Sequence, residues 1–156
     1  MDQVSPLAGF GAPKSKCRTC ESSKDFRANF SFPIPAHAIV FDFSNGVFWK
    51  NSRLLVVDLD GAEAITYRYP PEADRPTNLE IAGRRSIPAD QIRELIGKAN
   101  VVWNPPIPKQ LGQMRTDTFQ TLYVIDGSVL GKWLEMGGGA KWFVELREEL
   151  SGLLTR

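Results

Sequence analysis

Histidine and cysteine are scarce in this chain. Among its 156 residues there is one histidine, and there are two cysteines. A pair of cysteines in a chain of this length is not a disulfide scaffold. No G-x-S-x-G elbow is present, so a serine triad has no seat. Neither a G-x-x-x-x-G-K-[ST] loop nor a G-x-G-x-x-G fingerprint occurs, so the usual phosphate cradles are missing. No apolar run approaches the roughly 20 residues that span a bilayer. Charge of one sign is also lacking: the formal net charge is +1, which implies no general attraction to nucleic acid or anionic lipid. The N-terminus "MDQVSPLAGFGAPKSKC" has no basic region followed by a long apolar stretch, so it does not read as a signal peptide. The chain as written reads as cytoplasmic. A chain whose export signal had been removed would read the same, with the envelope or periplasm as its compartment.

What is present suits one ordinary globular domain, with 42% hydrophobic and 24% charged residues. Residues 1–29 stand apart. They are rich in glycine, proline and serine and poor in apolar residues, which suggests a flexible basic arm. The expected domain is then 30–156. Ala38 to Phe43 reads as a strand, with Asn45-Gly46 as a turn after it. "RLLVVDLDGAEAITYRY" reads as a hairpin around Asp60-Gly61, with Val56 opposite Ile65 and Leu54 opposite Tyr67. Residues 70–85 form a polar, proline-containing loop. "IPADQIRELIGKAN" is a helix burying Ile92, Leu95, Ile96 and Ala99. A second hairpin turns at Asp126-Gly127, which would oppose Val124 to Val129 and Phe119 to Leu134. "AKWFVELREELSGLL" closes the chain as a helix with Phe143, Leu146, Leu150 and Leu153 on one side. The expected fold class is α+β. An antiparallel sheet built from hairpins carries two helices on one face, in the order ββ-α-ββ-α after an initial strand.

Three constellations bear chemistry. Cys17 and Cys20 form a C-x-x-C in "KSKCRTCESSK". As thiolates they would fill two corners of a tetrahedral zinc site, with His37 as the candidate third ligand. Sixteen residues separate His37 from Cys20, and no second C-x-x-C exists, so the site is short of ligands unless a homodimer shares four thiolates. A redox pair needs a helix start after a buried strand, and the polar arm offers none. Unpaired thiols or an incidental disulfide is the plainer reading, and no cofactor is expected. His37 itself precedes Ile39, Phe41 and Phe43 at strand spacing, as a packed core-edge histidine would. "EMGGGAKWF" could present backbone N–H groups to an anion, yet a strand-to-helix elbow explains its glycines as well. Asp60 and Asp126 are explained as turn residues.

The candidate contact surface is the proline-rich connection that opens with Trp103, Pro105 and Pro106, together with Arg84 and Arg85 before the first helix. A buried Trp103, closing over the sheet edge, is the competing reading of that residue. The expected function is binding without catalysis, to another protein such as a toxin or an enzyme that it inhibits. An inhibitor or immunity (antitoxin) protein is the analogy of size and class. Trp103→Ala would then weaken capture with little loss of stability. The alternative is a zinc- or thiol-dependent small enzyme or metal-binding module using Cys17, Cys20 and His37.

Overall fold

The computed structural model describes residues 7, 9–13, 17, 20–43, 52–69, 79–105, 120–135 and 141–155. The chain has an α+β fold. Its elements are β1 (Cys20–Ser22), α1 (Lys24–Ala28), β2 (His37–Phe43), β3 (Arg53–Asp58), β4 (Glu63–Arg68), β5 (Glu80–Ser86), α2 (Ala89–Ala99), a 3-10 turn (Asn100–Trp103), β6 (Gln120–Asp126), β7 (Val129–Glu135) and α3 (Lys141–Ser151). All seven strands form one antiparallel sheet in the order β1-β7-β6-β2-β3-β4-β5. The two hairpins therefore flank β2, one on each side. Because β2 runs antiparallel to both neighbours, it starts where β3 and β6 end.

Alternation along the strands splits the core in two. Ile39, Phe41, Leu55, Val57, Leu122 and Val124 join one buried cluster with Ile92, Leu95 and Ile96 of α2 and Phe143, Leu146 and Leu150 of α3. Their strand neighbours Ala38, Val40, Leu54, Val56 and Ile125 join a second with Phe26, Ile34 and Tyr67. Adjacent strand residues point to opposite faces, so the two clusters lie on opposite sides of the sheet. Lys98 Nζ and Glu149 Oε2, 2.7 Å apart, tie α2 to α3.

The first hairpin keeps its expected register, with Val56 opposite Ile65 and Leu54 opposite Tyr67. Its ladder stops at Asp58 and Glu63, leaving a four-residue turn instead of two. Asp58 Oδ1 accepts the Gly61 N–H at 2.9 Å, and Ala62 takes a positive φ of 51° to rejoin the strand. The second hairpin differs by two positions. Val124 lies opposite Gly131 and Thr121 opposite Leu134. Gly127 and Ser128 are the loop, with Gly127 at φ 58°, and Asp126 is the last paired residue. A slip of two preserves the inward face, so the apolar pattern alone could not reveal it.

Two segments expected to be irregular belong to the sheet. Residues 20–28, placed by their composition in the arm, supply β1 and α1. The polar stretch before the first helix supplies β5, which pairs with β4 across a bulge at Thr66/Tyr67. The Asn45-Gly46 turn, the triple glycine and Phe119 lie outside the described residues.

Candidate functional site

Two places on the molecule gather chemistry-bearing residues. The first is a groove on the Val56/Tyr67 side of the sheet, about 490 Å³ in volume. Val56, Ile65 and Tyr67 floor it, Leu79 and Ile81 wall it on the β5 side, and Phe32, Ile34 and Pro35 wall it on the other. The second wall is built by α1. Arg27 donates from Nη1 to the Ile34 carbonyl, and from Nη2 to the carbonyls of Pro35 at 3.2 Å and Gly127 at 3.0 Å. Ser23 Oγ donates to the same Gly127 carbonyl at 2.9 Å. Aromatic rings run across the face above the strands. Phe26 lies 4.4 Å from Tyr123, Phe30 5.1 Å from Phe26, and Phe32 stacks on Tyr67 at 4.0 Å and 10°. Phe26, Arg27 and Phe30 thus form a roof that positions Phe32 and Pro35.

Ile81 on β5 is 47% exposed, an uncommon state for a large apolar side chain beside other apolar groups. Arg84 pairs with Glu63 at 2.6 Å along the rim, and Arg68 with Glu80 at 3.4 Å. Exposed pairs of this kind contribute little to stability. β5 ends the sheet, and among the described residues no strand pairs with its outer edge. Such an edge is a template for another strand.

The second place is the end of the sheet at which β2 begins. His37 Nδ1 lies 3.0 Å from both carboxylate oxygens of Asp60, and Nε2 lies 3.5 Å from Asp126 Oδ1. The two hairpin turns thus deliver one carboxylate to each side of the single imidazole. The imidazole thus sits between the two tips, hydrogen-bonded through Nδ1 to Asp60 and with Nε2 facing Asp126. Turn chemistry alone does not reveal these roles of Asp60 and Asp126. Strand order does: a strand starting between two Asp-Gly tips must meet both.

The expected site residues are redistributed. Trp103 is 3% exposed, so it is no surface anchor. It lies in the core beside Gly131, where an added Cβ would come 2.7 Å from its ring. Pro105 is buried too, and Pro106 lies outside the described residues. The physical reason is the 3-10 turn after α2, which carries Val102 and Trp103 back under β7. Arg84 and Arg85 stand in a strand, where a loop was expected, and point to opposite faces. Arg84 faces the groove, while Arg85 Nη1 donates to the Gly152 carbonyl at 2.9 Å after α3.

Cys17 and Cys20 are joined in a disulfide, so neither offers a thiolate to a metal in this state. Among the described residues, no group of three or more His, Cys, Asp or Glu side chains is placed to hold a metal ion. Reduction with excess dithiol is expected to lower the unfolding free energy by about 2 kcal/mol, the chain-entropy value for so short a ring. Denaturant titrations with and without reductant measure it. Coincident curves would mean that closing so short a ring does not measurably constrain the unfolded chain.

On the groove side, further along β2, Tyr69 donates its hydroxyl to Asp42 Oδ1 at 3.2 Å. Burial pushes the Asp42 carboxyl up to about 6, and the Tyr69 hydrogen bond opposes only part of that. Burial and the nearby carboxylate also raise the Tyr69 and Tyr123 phenols. No helix in the described chain is long and apolar enough to cross a membrane. Comparison with known families, with curated proteins and with solved structures finds no match in any of the three.

Proposed function

We propose that this chain is a non-catalytic protein-binding module of the inhibitor or immunity type. Its contact surface is the β5 edge with the groove beside it, and its occupant is an extended segment of a partner protein. One observation carries the reading: a half-open apolar groove runs against a strand edge with no partner among the described residues. An extended segment paired with β5 would gain main-chain hydrogen bonds and lay every second side chain over Ile81 at the mouth of the groove. The reading includes the placement of α2 and α3 together on the other sheet face. The buried cluster shared by Ile92, Leu95, Phe143 and Leu146 supports that placement, which leaves the groove face open. Glu63 and Glu80 neutralise the arginines of the rim locally, so recognition beside Ile81 is chiefly apolar and main-chain.

The test is a titration of the purified partner, captured from the native source, against wild-type and Ile81→Glu proteins. Burying an isoleucine is worth about 1.5–3 kcal/mol, so the variant should bind at least about tenfold more weakly. Its stability should change by no more than about 0.5 kcal/mol, as for an exposed position. Equal affinity would remove the groove from the interface. Concentration-dependent dimerisation abolished by the same substitution would assign the edge to a second copy of this chain instead.

A further inference from the structure

The His37 end of the sheet is not bare, because the chain lays its own residues 9–13 across it. Asn100 reads two groups of that segment with one amide. Its Nδ2 donates to the Gly9 carbonyl at 2.8 Å, and its Oδ1 accepts the Gly11 N–H at 3.4 Å. Trp103 Nε1 donates to the same Oδ1 at 3.1 Å, which fixes which end of the amide is oxygen. Asp126 Oδ2 accepts the Ala12 N–H at 3.0 Å. The Phe10 ring meets His37 edge-on at 5.9 Å and lies 6.4 Å from Trp103. A side chain at Gly11, where φ is 144°, would come 2.9 Å from Asp126 Oδ2.

These contacts divide into two kinds. Asn100 and Asp126 bond only to main-chain groups of the segment, which every peptide offers. The ring against His37 and Trp103, and the closeness of Asp126 to Gly11, select an aromatic residue followed by glycine. Two of the partners are themselves hydrogen-bonded, Asn100 by Trp103 and His37 by Asp60, and Asp126 Oδ1 faces His37 Nε2 at 3.5 Å. A cradle fixed this way does not depend on the segment that fills it.

We propose that Asn100, Asp126, His37 and Trp103 form a peptide-recognition site, and that residues 9–13 fill it in cis as a displaceable stand-in. The ligand is a segment of another protein that presents an aromatic side chain followed by glycine. The tethered segment competes at an effective concentration on the order of millimolar, so the site is closed to weak ligands until the segment is expelled.

The experiment uses the full chain and a labelled peptide with the sequence of residues 7–13, Leu-Ala-Gly-Phe-Gly-Ala-Pro. Fluorescence anisotropy should show saturable binding to Phe10→Ala at least tenfold tighter than to wild type. Adding Asn100→Ala to that variant should weaken binding at least tenfold, and Ile81→Glu should leave it unchanged. Gly11→Val, which crowds Asp126 without removing the ring, should open the site in the same way if Phe10→Ala folds poorly. The proposal is overturned if neither opened variant binds the peptide, or if Asn100→Ala makes no difference. Because Ile81 lies in the other site, failure here leaves the groove reading standing, and failure there leaves this one.

Discussion

Trp103→Ala is expected to cost about 3–5 kcal/mol, a large share of the total stability of a small domain. The side chain is 3% exposed and packs in the cluster that joins the sheet to α2 and α3. Truncation leaves a cavity that the strand beneath cannot fill, because residue 131 is a glycine. The substitution also removes the Nε1 donor from Asn100 and the ring beside Phe10. A mutant cycle sharpens the test. Gly131→Ala alone places a Cβ 2.7–2.8 Å from two ring carbons of Trp103 and should cost about 1–3 kcal/mol. In the Trp103→Ala background the same methyl meets no ring and should cost far less, which appears as coupling between the two sites. Urea midpoints of the four proteins decide it. Simple additivity would mean that the indole does not occupy the space above Gly131.

Asp42→Asn should stabilise the protein at neutral pH by about 2 kcal/mol. The folded state holds the carboxyl near 6, against 3.8 for a free side chain, because burial disfavours its charge. Between those two values the folded state keeps a proton that the unfolded chain releases. The stability contributed by the protonated carboxyl is therefore complete below pH 3.8 and is lost as the pH rises through about 6. The full linkage value is about 3 kcal/mol. Water reaching this half-buried side chain reduces it to about 2. Asparagine keeps the carbonyl that accepts the Tyr69 hydroxyl and carries no charge to desolvate. The advantage of the variant should accordingly close below about pH 4. Denaturant titrations at pH 4, 5, 6 and 7 measure it, and a difference constant across that range would contradict the buried-charge account.

The two sites were unequally legible. Helix α2 was readable in full, since Ile92, Leu95, Ile96 and Ala99 recur at 3.6-residue spacing and all four are buried. The first hairpin was readable because two apolar stretches, Leu54–Val57 and Ala64–Tyr67, flank one Asp-Gly turn. β5 was not. "EIAGRRS" has no alternation to see, and its one large apolar residue sits exposed beside a groove that exists only once β3, β4 and the Phe32 segment are assembled. The second hairpin shows a subtler failure. Asp-Gly marks the turn correctly, but the dipeptide does not say whether aspartate ends the strand or opens the loop.

By itself the sequence determined the α+β class, the two hairpins, the two long helices and most of the buried residues. Periodicity and turn chemistry are local properties, and local interactions enforce them. Only the tertiary structure decided which residues lie together. His37 meets Asp60 and Asp126 because β2 is central and antiparallel to both neighbours, a matter of strand order. Trp103 is core and Ile81 is surface because burial depends on what other elements cover, and sequence spacing does not record that. Cys17 and Cys20 hold the chain where the first strand begins, and residues 9–13 lie over the end of the sheet at which β2 begins. Those contacts span up to 114 positions of sequence, a distance at which no local pattern constrains the chain.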